Sequence, residues 1–388
     1  MKNLNKLFEN NCQKTTTIKL QGKAAVFWDR SGKFSGETIG KIIKFVNSVH
    51  KQYRNINVPI VFEFGSVLIA DKLSYVIFEC ICYHLISVYH HRVYVYWDPQ
   101  NDILTQGVFS SPLLLLNGMD NDKAKRYSNV FKMDIFGTHF RRLIPSENLS
   151  DNNYLGNLFK ELDSFLKVFD IVEVYRDQIT EVISELVGNA GEHGKSDCLL
   201  DIDVTHDHIK EKKSIRQEGQ FYGINIAVLN FSEYLLGDGI KRKMNSDFSD
   251  TSRYDIVKQA YNYHKNYFNI DYGEDDFFNI TALQDKISGR MEYEYAGGTG
   301  LTKLIKTLQD SADTDTCYMI SGGRSVYFVR KLIEYDDKKW LGFNKEKNYL
   351  TAIPDEEVVS ECLIYFPGTA YNLNFIMKRE DKNEENRT

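Results

Sequence analysis

The chain lacks any paired arrangement of cysteine. Cys12, Cys80, Cys82, Cys198, Cys317 and Cys362 are scattered and no Cys-x-x-Cys occurs, which fits reduced thiols in a cytoplasm rather than a disulfide framework. Cys80, Cys82 and His84 are close in sequence, but residues 71–89 read as a helix, where positions two apart diverge, so no metal is expected there. Long apolar runs are also missing. The longest, near Val76 to Tyr89, is interrupted by Glu79 and His84, so neither a membrane span nor a secretory leader is expected. Charge of one sign is not in excess: a net charge of −6 gives no global reason to expect nucleic acid. Two common nucleotide-site signatures are absent. Gly32-Lys33 is followed by Phe34 and position 27 is Phe, so there is no Walker A pattern, and no Gly-x-Gly-x-x-Gly follows an N-terminal strand. Proline is scarce, and no internal repeat is evident.

What is present starts with length: 388 residues suffice for two domains with sizeable cores. Residues 17–97 alternate expected strands (Ile18 to Leu20, Ala24 to Trp28, Ile60 to Phe64, Arg92 to Trp97) with expected helices over about 36–53 and 71–89, a small α/β domain. Residues 111–150 read as a helical connector with a helix ending near Arg141-Arg142. From 151 to 379 a second, α+β domain is expected, with strands Leu199 to Val204 and Tyr222 to Asn230, a long insertion, a Gly-rich turn, a helix and further strands. Residues 380–388 are charged and read as a disordered tail.

The stretch 181–194 carries the most chemistry. Ile179, Val182, Ile183, Leu186, Val187 and Ala190 recur with helical period and form an apolar face. Glu185, Asn189 and His193 step by four residues, drifting about 40° each time, and so form one polar stripe along its border. A stripe there can line a cleft with a carboxylate base, an amide oxygen for a hard cation and a titratable imidazole. Downstream, Gly297, Gly298, Thr299, Gly300 and Leu301 open a helix, where free N–H groups and the helix dipole favour phosphate. The strand over 224–230 ends in Asn230 and Ser232, and the alternation after Gly368-Thr369 marks another strand.

Glu-x-x-x-Asn-Ala-x-x-His-Gly resembles the N-box of the GHKL (Bergerat-fold, histidine-kinase-like) ATPases: gyrase, heat-shock chaperone, histidine kinase and mismatch-repair ATPases, with the anti-sigma-factor kinases. The resemblance covers about 185–375. It implies a two-layer α+β fold, ATP and Mg as cofactors, Glu185 as activator of the attacking water or hydroxyl, and Asn189 as the magnesium ligand. It also implies that the amides of Gly297 to Leu301 cradle the triphosphate, with His193 nearby. Thr369 then supports the residue that reads adenine. That residue is Asp in the family, followed by Gly two positions on, where this chain has Asn230 and Ser232; an Asn carbonyl can accept the same bond, roughly half as strongly. The segment between Ser232 and Gly298 becomes an expected lid, with Arg290 as a phosphate contact. Pro59-Ile-Val-Phe-Glu-Phe and Val93-Tyr-Val-Tyr-Trp, around a helix, resemble a STAS domain within 1–110, although Asp71 is followed by Lys72 and not by a phosphoacceptor hydroxyl. Three activities stay open: an ATPase switch, an anti-sigma-type protein kinase, and a nucleotide-sensing scaffold. The expected partner is another protein or a second copy of the chain.

Overall fold

A computed structural model describes residues 1–378 apart from 2, 13–14, 55, 70, 98–111, 119–120, 206–220, 246–251, 286, 288–299 and 313–315. The N-terminal unit runs α1 (Asn5–Asn10), β1 (Ala25–Asp29), β2 (Lys33–Phe34), α2 (Gly36–Gln52), β3 (Ile60–Phe64), β4 (Leu68–Ile69), α3 (Lys72–Ser87) and β5 (Val93–Tyr96). Strands β1, β3 and β5 form a parallel sheet in that order, because a helix connects each strand to the next. Ser35 and Thr38 form a capping box at the start of α2, and Asp71 caps α3 by accepting from the Ser74 N–H at 2.6 Å. No strand forms at Ile18 to Leu20, where only an isolated bridge from Gln21 to Ala24 is made.

The rest of the chain runs α4 (Asn121–Lys132), β6 (Met133–Phe136), β7 (His139–Ile144), α5 (Asn152–Lys167), α6 (Glu173–Asn189), β8 (Cys198–Thr205), β9 (Phe221–Phe231), α7 (Asp238–Met244), α8 (Ser252–His264), α9 (Glu274–Ala282), α10 (Gly300–Ser311), β10 (Tyr318–Tyr327) and β11 (Val359–Lys378). Its sheet is antiparallel with strand order β10-β11-β9-β8-β7-β6. One expectation is corrected. The helix expected to end at Arg141-Arg142 stops at Lys132, and both arginines lie on β7, where Arg141 is buried among carboxylates. In the segment expected as a lid, helices α7, α8 and α9 bury Tyr254, Val257, Phe277 and Ile280 in the core.

Both faces of the large sheet are covered. On one face, Ile224, Ile226 and Val228 of β9 join Leu373 and Phe375 of β11 in a core with α5, α6 and α10. On the other, Ala227, Leu229 and Phe231 join Phe366 and Ala370 in a second core shared with α2 and α3. Alternate side chains point to opposite faces, so a strand with apolar groups at every position is buried on both sides. Helices α2 and α3 lie between the two sheets, and every residue of α3 from Lys72 to Leu85 is buried. The architecture is mixed α/β, and no helix among the described residues is long and apolar enough to cross a membrane.

Candidate functional site

Three sequence-distant pieces meet at the C-terminal end of α6. Its apolar residues Ile179, Val182, Ile183, Leu186 and Val187 are buried against the sheet and α10, which orients Glu185 and Asn189 along the border of the buried face. After Asn189 the helix widens into a π turn over Ala190–Gly194, and Lys195 takes a left-handed conformation (φ 47°) that ends it. In the sheet, Asn230 of β9 pairs in register with Thr369 of β11 and with Cys198 of β8, and Ser321 of β10 pairs with Thr369. The two motif glycines close on Asn230 from opposite sides. A Cβ at Gly194 would lie 2.3 Å from Asn230 Nδ2, and one at Gly368, whose φ is +107°, would lie 2.2 Å from the Asn230 carbonyl oxygen. At Gly368 only glycine permits the approach, whereas a side chain at Gly194 would have to displace the end of the Asn230 side chain.

Hydrogen bonds fix the polar groups there. Asn230 Nδ2 donates to Ser196 Oγ at 3.1 Å, which leaves the amide oxygen as the acceptor open to a ligand. Ser232 Oγ donates to the Gly194 carbonyl at 2.6 Å and accepts from the Tyr234 N–H at 2.9 Å. Ser321 Oγ lies 3.5 Å from Thr369 Oγ1, donates to the Gly368 carbonyl at 2.9 Å and accepts from the Leu236 N–H at 3.0 Å.

Asn189 stands between two hollows. An open cavity of about 870 Å³ is lined by Glu185, Asn189, Ser146, Glu147 and Asn152, with Lys195 at its rim. A tight slot of about 20 Å³ is lined by Asn189, Ala190, Asn230, Thr369 and Tyr371 under the turn Tyr234–Leu236. Ligand sites commonly measure about 300–1,000 Å³. The open cavity has that size, whereas the slot admits a planar ring only after the 234–236 turn moves. Asp238 accepts from the Leu235 N–H at 2.9 Å and braces that turn.

Of the residues expected at a site, Glu185, Asn189, Asn230, Ser232 and Thr369 come together here. Gly297, Gly298, Thr299 and Arg290 lie outside the described residues, as does the side chain of His193. Gly300 and Leu301 begin α10, which packs along α6 and ties to it through Lys303 and Glu181 at 2.7 Å. Sequence reasoning missed Tyr371. It is buried two residues after Thr369 on the same strand face, and its hydroxyl has no hydrogen-bond partner among the described residues. Burial, then the nearby Glu185 carboxylate, pushes its pKa up. Period-two alternation from Thr369 was the signal that could have found it.

A second cluster of titratable groups lies on the opposite face of the sheet, also missed. Lys72 bridges Asp201 and Asp203, Arg141 bridges Asp201 and Glu79, and His139 sits 3.0 Å from both Asp134 and Asp201. Burial disfavours an ionised Asp201, but Arg141, Lys72 and His139 outweigh it and hold its pKa well below the usual carboxylate range. His139, Asp201 and Asp203 have the spacing of a metal site, yet the ammonium of Lys72 and the guanidinium of Arg141 already supply the positive charge. The cluster reads as a buried ion-pair network joining α3 to β7 and β8. No family model matches the chain, nor does any curated protein or solved structure.

Proposed function

We propose that the chain is an Mg-dependent ATP-binding protein that hydrolyses ATP as a conformational switch, with a GHKL-type nucleotide site in its C-terminal half and a STAS-like unit packed behind it. One observation carries the reading: Asn189 lies between a cavity of nucleotide size that also holds Glu185 and a slot lined by Asn230 and Thr369. The base would enter the slot, accepted by the Asn230 amide oxygen, and the phosphates would extend into the open cavity toward Lys195. Glu185, Asn189 and Glu147 present hard oxygen donors of the kind magnesium takes. When bound, the ion neutralises charge on the β- and γ-phosphates. Glu185 is the group placed to orient and deprotonate water, and Asn189 the group that holds the phosphate end in register. Ser74, the nearest hydroxyl to a phosphoacceptor position, is buried and donates to Asp71 at 2.9 Å, so self-phosphorylation there is not favoured.

The test is thermal melting with ATP or ADP, with and without magnesium, followed by incubation with γ-labelled ATP. A rise in Tm is expected only with magnesium nucleotide, together with release of free phosphate. Labelled protein would instead assign a kinase, and a melting shift without turnover would assign a sensor. No shift with any nucleotide overturns the reading. Glu185→Ala is expected to abolish turnover while leaving the melting shift, and Asn189→Ala to shrink the magnesium-dependent part of it.

A further inference from the structure

Tyr371 is held from both sides. Its strand, β11, runs between β9 and β10, and Tyr371 pairs in register with Val228 and Met319, so its backbone cannot shift without breaking two ladders. Alternation puts its side chain on the face that carries Thr369, toward α6. There the residue is 4% exposed and forms part of the slot wall beside Leu186, Asn189 and Asn230. Its hydroxyl is enclosed and has no hydrogen-bond partner among the described residues. Such a group costs free energy, and native interiors rarely keep one without a role that the resting structure leaves unsatisfied.

Among the described residues, the charged group near enough to act on this hydroxyl is the Glu185 carboxylate. Glu185 adjoins Leu186 of the slot wall and itself lines the open cavity, with Asn189 shared between the two hollows. The tyrosine therefore meets Glu185 from the slot and the core, while the cavity meets it from solvent. Burial, then that carboxylate, pushes the phenol pKa up, so Tyr371 stays protonated at working pH. Toward an ionised carboxylate, which only accepts, it is a donor.

Given that Glu185 is the base of an ATPase, as proposed, we infer that Tyr371 is its positioning residue: the hydroxyl donates to one carboxylate oxygen and turns the other toward water in the cavity. A base is effective when a third group orients it, because a free carboxylate on a flexible side chain samples several rotamers. A neutral phenol on a central strand gives that support from a rigid element and adds no charge near the phosphates. The contact is open in the resting structure and closes when nucleotide fills the cavity, as catalytic hydrogen bonds commonly tighten on binding. No proton leaves the tyrosine. Glu185 takes one from the water as its oxygen bonds to the γ-phosphorus and the bridging oxygen departs with ADP.

Tyr371→Phe removes the hydroxyl and keeps the ring. Steady-state phosphate release from magnesium ATP is expected to show kcat lowered by more than about tenfold, with KM and the nucleotide-induced rise in Tm unchanged, the pattern of an interaction made only in the transition state. The variant alone should melt no lower than the native chain, because the lost hydroxyl leaves no group unpaired. Glu185→Asp draws the carboxylate back by a methylene, and in that background Tyr371→Phe should change single-turnover rates by less than about twofold. An unchanged kcat, a raised KM at unchanged kcat, or a loss of undiminished size in the Glu185→Asp background overturns the role of Tyr371 and leaves the ATPase reading standing. A native chain that releases no phosphate from any nucleotide overturns both.

Discussion

A side chain at Gly368 would meet two penalties at once. Its backbone sits at φ +107°, in a region that L-residues rarely adopt, and its Cβ would collide with the Asn230 carbonyl at 2.2 Å. Gly368→Ala is therefore expected to cost roughly 1–3 kcal/mol or more, measured as a lowered urea midpoint, because neither the strand nor Asn230 can give way without breaking register. The titratable residues set a pH profile. His139 is raised to about 9: burial opposes the shift, but Asp201 and Asp134 outweigh it. With a folded pKa above the unfolded value of about 6.5, its stabilisation is complete below that value and lost as pH rises through the folded one. His50 and His84 run the other way. Burial lowers each to about 4, so they favour the folded state while neutral, and their contribution drains as pH falls from about 6.5 toward 4. The protein should be most stable near neutrality, and His139→Gln should flatten the alkaline limb of urea midpoint against pH. An alkaline limb unchanged in that variant would remove the assignment to His139.

Among the elements, the turn over 234–236 decides access to the slot beside Asn230. Its N–H groups are all held: Tyr234 by Ser232, Leu235 by Asp238 and Leu236 by Ser321. Ser321→Ala removes the partner of both Leu236 and the Gly368 carbonyl. It should cost about 1 kcal/mol in stability and, on the proposed reading, speed association of a fluorescent nucleotide in stopped flow. A slower association would place the opening elsewhere. The elements were legible in the sequence wherever a local pattern decided them. The period of Val182, Ile183, Leu186 and Val187 is enough to write α6, and the caps Ser35 and Asp71 mark the starts of α2 and α3. The hairpin β6–β7 was not legible. Two arginines after a helical run look like a basic helix end, and what makes Arg141 a strand residue is Asp201, sixty positions away. The grip on Asn230 was hidden for the same reason, since Gly194 and Gly368 acquire their meaning only from how the chain packs around Asn230.

The whole molecule shares its interior. Leu199, Leu229 and Phe366 of the large sheet lie in one core with Ile42, Val46 and Ile81 of the N-terminal unit, and the Lys72 network runs through that interface. The two halves should unfold together. Lys72→Met would leave Asp201 and Asp203 buried with less compensation, at a cost of roughly 3–5 kcal/mol. Tryptophan fluorescence and far-ultraviolet circular dichroism should still give one coincident transition at lower urea, and separated transitions would show two independent units. The same sharing bears on biosynthesis. Helix α3, buried on every side, is complete at Ser87, but β11, a central strand of the sheet that covers it, begins only at Val359. At about 5–20 residues per second, the ribosome leaves α3 without its cover for roughly a quarter of a minute to a minute. During that interval the chain displays a largely apolar helix whose cover is incomplete, a surface that must be shielded by other means until the final strand arrives.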